Sequence, residues 1–259
     1  MDTNQLYTLQ ELASTGKSEA IIRLIDFYKE NGDYQKAFLT AQRFEYFSSG
    51  IGYKVLAEFY FKGIGTEIDI DKAKEYYQKS FDLGEYSSGY QLAIIAIKEE
   101  NYSTAINYLT YGMADNHIPS IKLLAKMYAS GEGVIKNSEI AINLIKKAYE
   151  LGDKKAIHQL ARLYYSIGEY SKAVEYFTIG ARNNDLDSIY HLGVCYAKGL
   201  GVKQNFVQAR RFYEIGANSL EPRCLYNLSL YYRNGITVDQ NITLANKLES
   251  QAYENGFKK

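Results

Sequence analysis

Residues 188–220 read SIYHLGVCYAKGLGVKQNFVQARRFYEIGANSL, and this stretch decides the fold. Ser188, Leu192 and Tyr196 fall at i, i+4 and i+8, which is one stripe of an α-helix. Gly199 and Gly201 close that helix, since glycine reaches the left-handed backbone that a C-cap needs. Asn205 is a good N-cap for a second helix, four residues before Ala209. Phe212, Tyr213 and Ala217 continue the apolar stripe along it. Gly193, beside Leu192, is expected to let a neighbouring backbone approach closely. The unit is a pair of helices, A and B, joined by a loop.

The same pattern runs along the whole chain. Leu24, Leu56, Leu92, Leu124, Leu160, Leu192 and Leu228 each follow a small residue by four positions: Ala20, Gly52, Ser88, Ser120, Ala156, Ser188 and Cys224. An alanine follows each leucine in helix B, at Ala37, Ala73, Ala105, Ala141, Ala173, Ala209 and Ala245. The small residues and the alanines are expected at helix crossings, where large side chains would force the helices apart. Successive leucines lie alternately 32 and 36 residues apart, and all of that variation falls in the A–B loop. Periods of this size mark solenoids. The long loops carry Asp69, Asn137, Asn205 and Asn241 at one position, a recurrent N-cap. Residues 4–16, with Leu6, Leu9, Leu12 and Ala13 on one face and Gly16 at the end, read as a lone helix covering the first repeat. The expected fold is all-α: a solenoid of seven helix-pair repeats over residues 18–259, with an N-terminal capping helix over 1–17, about fifteen helices in one domain spanning 1–259. No further polar helix follows the last B helix, near Gly256, so its outer face is expected to be open or covered by a partner.

These residues resemble the Sel-one-like repeat (SLR) family, a relative of the tetratricopeptide repeat. That family's pattern is a small residue, Leu-Gly-x-x-Tyr, a Gly-x-Gly loop, an Asp, then Lys-Ala and an aromatic pair. Gly52, Leu56, Tyr60, Gly63, Gly65, Asp69, Lys72, Ala73, Tyr76 and Tyr77 match it, as do Leu192, Gly193, Tyr196, Gly199, Gly201 and Ala209. The short repeats, with Gly32-Asp33-Tyr34 and Gly168-Glu169-Tyr170, look more like tetratricopeptide loops. Ala96 replaces the helix A tyrosine and Thr237 the second loop glycine. The resemblance implies a right-handed superhelix that binds peptides or proteins and is not an enzyme.

Lys plus Arg balance Asp plus Glu at 30 each, so no net charge recruits nucleic acid or an anionic membrane. The longest wholly apolar run, Leu92 to Ile97, is too short to span a bilayer, and the N-terminus lacks a signal peptide's pattern. The chain therefore reads as cytoplasmic. Its three histidines, His117, His158 and His191, form no i, i+4 pair, so neither a metal nor a cofactor is expected. The Gly-x-Gly loops lack the lysine and the strand of a phosphate loop and read as repeat punctuation. Cys195 and Cys224 follow the helix pattern as small core residues.

A ligand is expected on the side of helix A opposite the leucine, at the positions two before and two after it. That row reads Ile22 and Asp26, Lys54 and Glu58, Tyr90 and Ile94, Lys122 and Lys126, His158 and Arg162, Tyr190 and Val194, Tyr226 and Leu230. The expected partner-binding residues on this concave face are Tyr90, Ile94, Lys122, Lys126, His158, Arg162, Tyr190 and Tyr226. The middle is basic, with aromatic and aliphatic residues on both sides, which suits an acidic segment with apolar anchors from another protein. The same residues could instead pack A helices laterally. Three roles stay open on sequence: an adaptor, an immunity protein that occludes a toxin, and an enzyme regulator.

Overall fold

The computed structural model describes residues 3–47 and 49–258. Among these residues there are sixteen α-helices, one 3-10 turn at Tyr86–Ser88 and no strand. The first helix, α1 (Thr3–Ser14), packs on α2 (Ser18–Glu30). Ala13 and Leu9 are its buried contacts, while Leu12, expected on the same face, is exposed. The A–B pairs that follow are α2 with α3 (Tyr34–Ala41), α5 (Gly50–Lys62) with α6 (Ile70–Asp82), and α7 (Gly89–Lys98) with α8 (Tyr102–Ala114). The short α4 (Phe44–Phe47) accounts for the helix beyond the fifteen expected. The first B helix breaks after Ala41, and the restart places Phe44 in the space left by Gly52, which has no side chain.

The remaining helices are α9 (Ile118–Ser130), α10 (Ser138–Glu150), α11 (Ala156–Ser166), α12 (Tyr170–Arg182), α13 (Leu186–Lys198), α14 (Phe206–Asn218), α15 (Pro222–Asn234) and α16 (Ile242–Glu254). Packing gathers the chain into two compact units, 1–124 with 132–134 and 125–131 with 135–259. The division falls within α9. In the first unit α5 packs on α6 and α7 on α8; in the second each helix from α10 to α16 packs on the next.

The three sequence rows form the interior of both units. All seven row leucines, all seven small residues and all seven helix B alanines are buried. Four caps hold the long-loop B helices: Asp69, Asn137, Asn205 and Asn241 each accept from a backbone N–H three residues on. Each such contact satisfies one of the helix's orphan donors and contributes about 1 kcal/mol.

A fourth row, not recognised in the sequence, lies eight residues before each small residue that follows Ala20. There Gly112 faces Ser120, Gly180 faces Ser188 and Gly216 faces Cys224, each across the junction from a B helix to the next A helix. At the other junctions Phe44 faces Gly52, Ser80 bonds Ser88 through their hydroxyls at 2.8 Å, and Ala148 and Ala156 are both fully buried. Five of these six pairs set a small residue against a small residue, and at the sixth the Phe44 ring fills the space that Gly52 leaves, as close packing requires.

The Lys-Ala and aromatic elements of the repeat have a packing explanation. The helix A tyrosine stacks on an aromatic of helix B: Tyr60 on Tyr76, Tyr164 on Tyr176 and Tyr196 on Phe212, with centroids 5.4–5.7 Å apart. The lysine before the alanine then caps that tyrosine's ring, Lys72 over Tyr60 at 5.2 Å and Lys172 over Tyr164 at 5.4 Å. Each such contact adds about 0.5–1 kcal/mol at an exposed site. The second aromatic of the pair, Tyr77, Phe177 or Tyr213, is the fully buried one. Gly193 makes room for the Tyr213 ring, which an added Cβ would meet at 2.7 Å, rather than for a neighbouring backbone.

The second loop glycine does approach backbone. Gly201, at φ +71°, lies against the first residues of α12, and a Cβ there would sit 2.6 Å from the Ser171 nitrogen. Thr237 takes the same left-handed conformation, at φ +61°, without being glycine.

Candidate functional site

The eight expected binding residues separate into two groups. In the first unit Tyr90 and Ile94 are half-buried on α7, and Lys122 is half-buried on α9. The Tyr90 ring meets the His117 ring edge-on at 5.8 Å. His117 in turn shares a hydrogen bond with Ser120 at 2.8 Å, and burial together with Lys54 disfavours its charged form. Lys54, on the same row, donates to Ser87 at 2.5 Å and lies 3.4 Å from Glu85. That cation is already matched by an acid.

In the second unit Lys126 and Arg162 are exposed on α9 and α11, and no acid among the described residues pairs with either. His158 is half-buried on α11. Tyr226 is stacked on Phe257 with centroids 4.3 Å apart, beyond the end of α16, so one face of its ring is occupied within the chain.

Tyr190 occupies the most developed part of the row. Its ring lies under the Arg223 guanidinium at 4.2 Å. Arg223 is held from both sides, donating to Asp187 at 2.9 Å and to Glu221 at 2.7 Å. Burial works against the Arg223 charge, but Glu221 and Asp187 outweigh it and its pKa rises. Glu221 is itself buried because it caps α15, accepting from the Cys224 N–H at 2.7 Å. Beside Tyr190, the His191 ring stacks on Phe177 at 4.8 Å. Burial lowers the His191 pKa; Asp187 opposes that shift, while Arg223 and Arg162 add to it. Arg162 and Tyr190 thus belong to one electrostatic neighbourhood on α11 and α13.

The other face of this region is a cavity of about 320 Å³ between α13, α14 and α15. Tyr190, Val194, Phe206, Tyr213, Leu230 and Tyr231 form most of its walls, with Lys198 at the edge. Val194 and Leu230 belong to the row read from the sequence; Phe206, Tyr213, Lys198 and Tyr231 do not. The row alone could not disclose them, because a cavity needs helix B of one repeat and helix A of the next. Cys195 and Cys224 are buried, and burial pushes the Cys195 thiol up to about 11 and that of Cys224 higher still. Neither is a thiolate at neutral pH, which a nucleophilic role would require. Among the described residues no three His, Cys, Asp or Glu gather around a possible metal position, and no helix is long and apolar enough to cross a membrane.

Stacked helix pairs with capped Gly-x-Gly loops and a face of half-buried aromatics and exposed cations define an α-helical repeat solenoid. The Sel1 repeat model matches residues 53–85, 119–153, 154–185, 186–219 and 222–257, and the chain belongs to the Sel1 repeat family. Two solved structures share the fold. A protective antigen of uropathogenic Escherichia coli strains that displays an SLR fold is 22% identical with a TM-score of 0.77, covering 96% of this chain and 58% of the antigen's. A Sel1 repeat protein from Oxalobacter formigenes is 21% identical with a TM-score of 0.69, covering 88% of this chain and 94% of its own. By sequence the chain is 41% identical over 71 residues to the DAP3-binding cell death enhancer 1 of Rattus norvegicus. That stretch covers 27% of this chain and 14% of the rat protein's own length.

Proposed function

We propose that this chain is an adaptor whose A-helix face in the second unit holds an acidic, partly apolar segment of another protein, within a cytoplasmic setting and without enzymatic activity of its own. The observation that carries this reading is the pair of exposed cations Lys126 and Arg162, unmatched by any acid among the described residues and followed along the row by the half-buried Tyr190 and Val194. His158 lies between them along the row, and the half-buried Tyr226 follows further on. Tyr90, Ile94 and Lys122 lie in the first unit. Sel1 repeats generally serve as interaction scaffolds, and the rat relative is named for binding another protein.

Exposed charges act mainly on association and are screened by salt over a Debye length of about 8 Å. The test is to capture the partner from the native cell, identify it by mass spectrometry, and measure binding kinetics at two salt concentrations. Converting Lys126 and Arg162 together to Glu should slow association by about tenfold at low salt and flatten its salt dependence, with the fold unchanged. Unchanged association would remove this face from the interface.

A further inference from the structure

The cavity between α13, α14 and α15 carries an inference that deepens the adaptor reading and rests on it. Three observations converge there. The first is size: about 320 Å³ lies at the lower end of the volumes in which proteins hold ligands, enough for a large side chain and its backbone. The second is an unmet hydrogen bond. Tyr231 lines the cavity and is 6% exposed, yet its buried hydroxyl has no partner in the protein. Such a group costs about 1–3 kcal/mol unless something accepts from it. The third is charge. No Asp or Glu lines the cavity, Lys198 stands at its edge, and no acid among the described residues pairs with that ammonium.

The sequence makes this part of the row different from the part before it. Tyr190, Val194 and Leu230 stand where residues two repeats earlier are Lys122, Lys126 and Arg162. The row therefore changes from cationic to apolar at the repeat where the cavity opens. The Tyr190 wall is fixed in place, since the Arg223 guanidinium lies over its ring and is itself held by Asp187 and Glu221. A rigid aromatic wall lowers the ordering cost of binding.

We propose that this cavity is the anchor site of the interaction surface. It takes one large apolar side chain of an extended partner segment, with a backbone carbonyl of that segment accepting from the Tyr231 hydroxyl and a neighbouring acidic side chain paired with Lys198. Upstream acidic residues of the same segment would then lie toward Arg162.

The test is a selection of random dodecapeptides displayed on phage against the full chain, followed by affinity measurement of the enriched peptides. The enriched sequences should share a Phe, Leu or Met with an Asp or Glu within two positions. Val194→Trp, which fills the cavity, should weaken them by at least about tenfold, and Lys198→Glu, a surface change that leaves the core intact, by about tenfold. Both variants should keep the helical circular dichroism of the parent chain. Enriched peptides that ignore both substitutions, or no enrichment over the Val194→Trp protein, would overturn the anchor site. The captured partner separates this failure from that of the adaptor reading. If it loses binding with the Lys126 and Arg162 substitutions but not with Val194→Trp or Lys198→Glu, the adaptor reading stands and the anchor site falls. If peptides obey the cavity while the partner ignores every substitution, the anchor site stands and the adaptor reading falls.

Discussion

The paired small residues between repeats give a quantitative test of how this solenoid is held together. Gly216 of α14 faces Cys224 of α15, and a Cβ added at Gly216 would lie 2.8 Å from the Cys224 Cβ and closer still to its sulfur. Gly216→Ala gains about 1 kcal/mol of helix propensity. It also overpacks a fully buried contact, which costs about 1–3 kcal/mol. The net expectation is a loss of up to about 2 kcal/mol, or a fall in Tm of several degrees at about 2–4 °C per kcal/mol. Cys224→Ala alone removes the sulfur from a buried position and should cost about 1 kcal/mol. The double variant recreates the alanine pair that Ala148 and Ala156 already form in this chain, both fully buried. It should therefore recover most of the loss, with a coupling of about 1–2 kcal/mol between the two sites. Urea unfolding followed by circular dichroism measures all four corners of the cycle. Strictly additive effects would refute volume compensation across the helix junctions.

Other consequences follow from the caps, the loops and the histidines. Asn137→Ala should cost about 0.5–2 kcal/mol by removing the acceptor for the Ile140 N–H, read as a lower urea midpoint. Gly201→Ala combines a left-handed backbone with a clash against the start of α12, so it should cost at least about 2 kcal/mol in the same assay. His117 and His191 both have pKa values depressed below 6.5, first of all by burial. Each binds its proton more readily in the unfolded chain, so their contribution is present above pH 6.5 and is lost as pH falls from there through the folded values. Unfolding midpoints measured between pH 7.5 and 5 should decline toward acid, and the decline should be smaller in His191→Gln; an equal decline would show that this ring does not titrate as described.

The periodic part of the architecture was legible because it is repetitive. Row residues such as Leu160, Ala173 and Ser188 hold the same burial in every repeat, so each copy confirms the others. Gly180 and Gly216 were visible in the sequence but not as a row, since their counterparts include Phe44, Ser80 and Ala148. The residue there is fitted to the one it faces, and a sequence displays one position at a time. The row on helix A was readable as a set of positions, but its chemistry depended on distant partners. Arg223 reaches Tyr190 from another repeat, and Phe257 reaches Tyr226 from beyond the end of α16. The cavity was not legible because its walls come from three helices whose approach is set by packing rather than by local pattern. Gly193 shows the same limit: its small size was evident, while the object it accommodates, the Tyr213 ring, was not.

The central claim is that the A-helix face of the second unit receives a partner protein. Hydrogen–deuterium exchange of the chain alone and with the captured partner tests it most directly. The account predicts added protection in α9, α11, α13 and α15, greatest near Val194 and Leu230, with little change in α12 and α16. Protection confined to those B helices, with α13 and α15 unchanged, would contradict it.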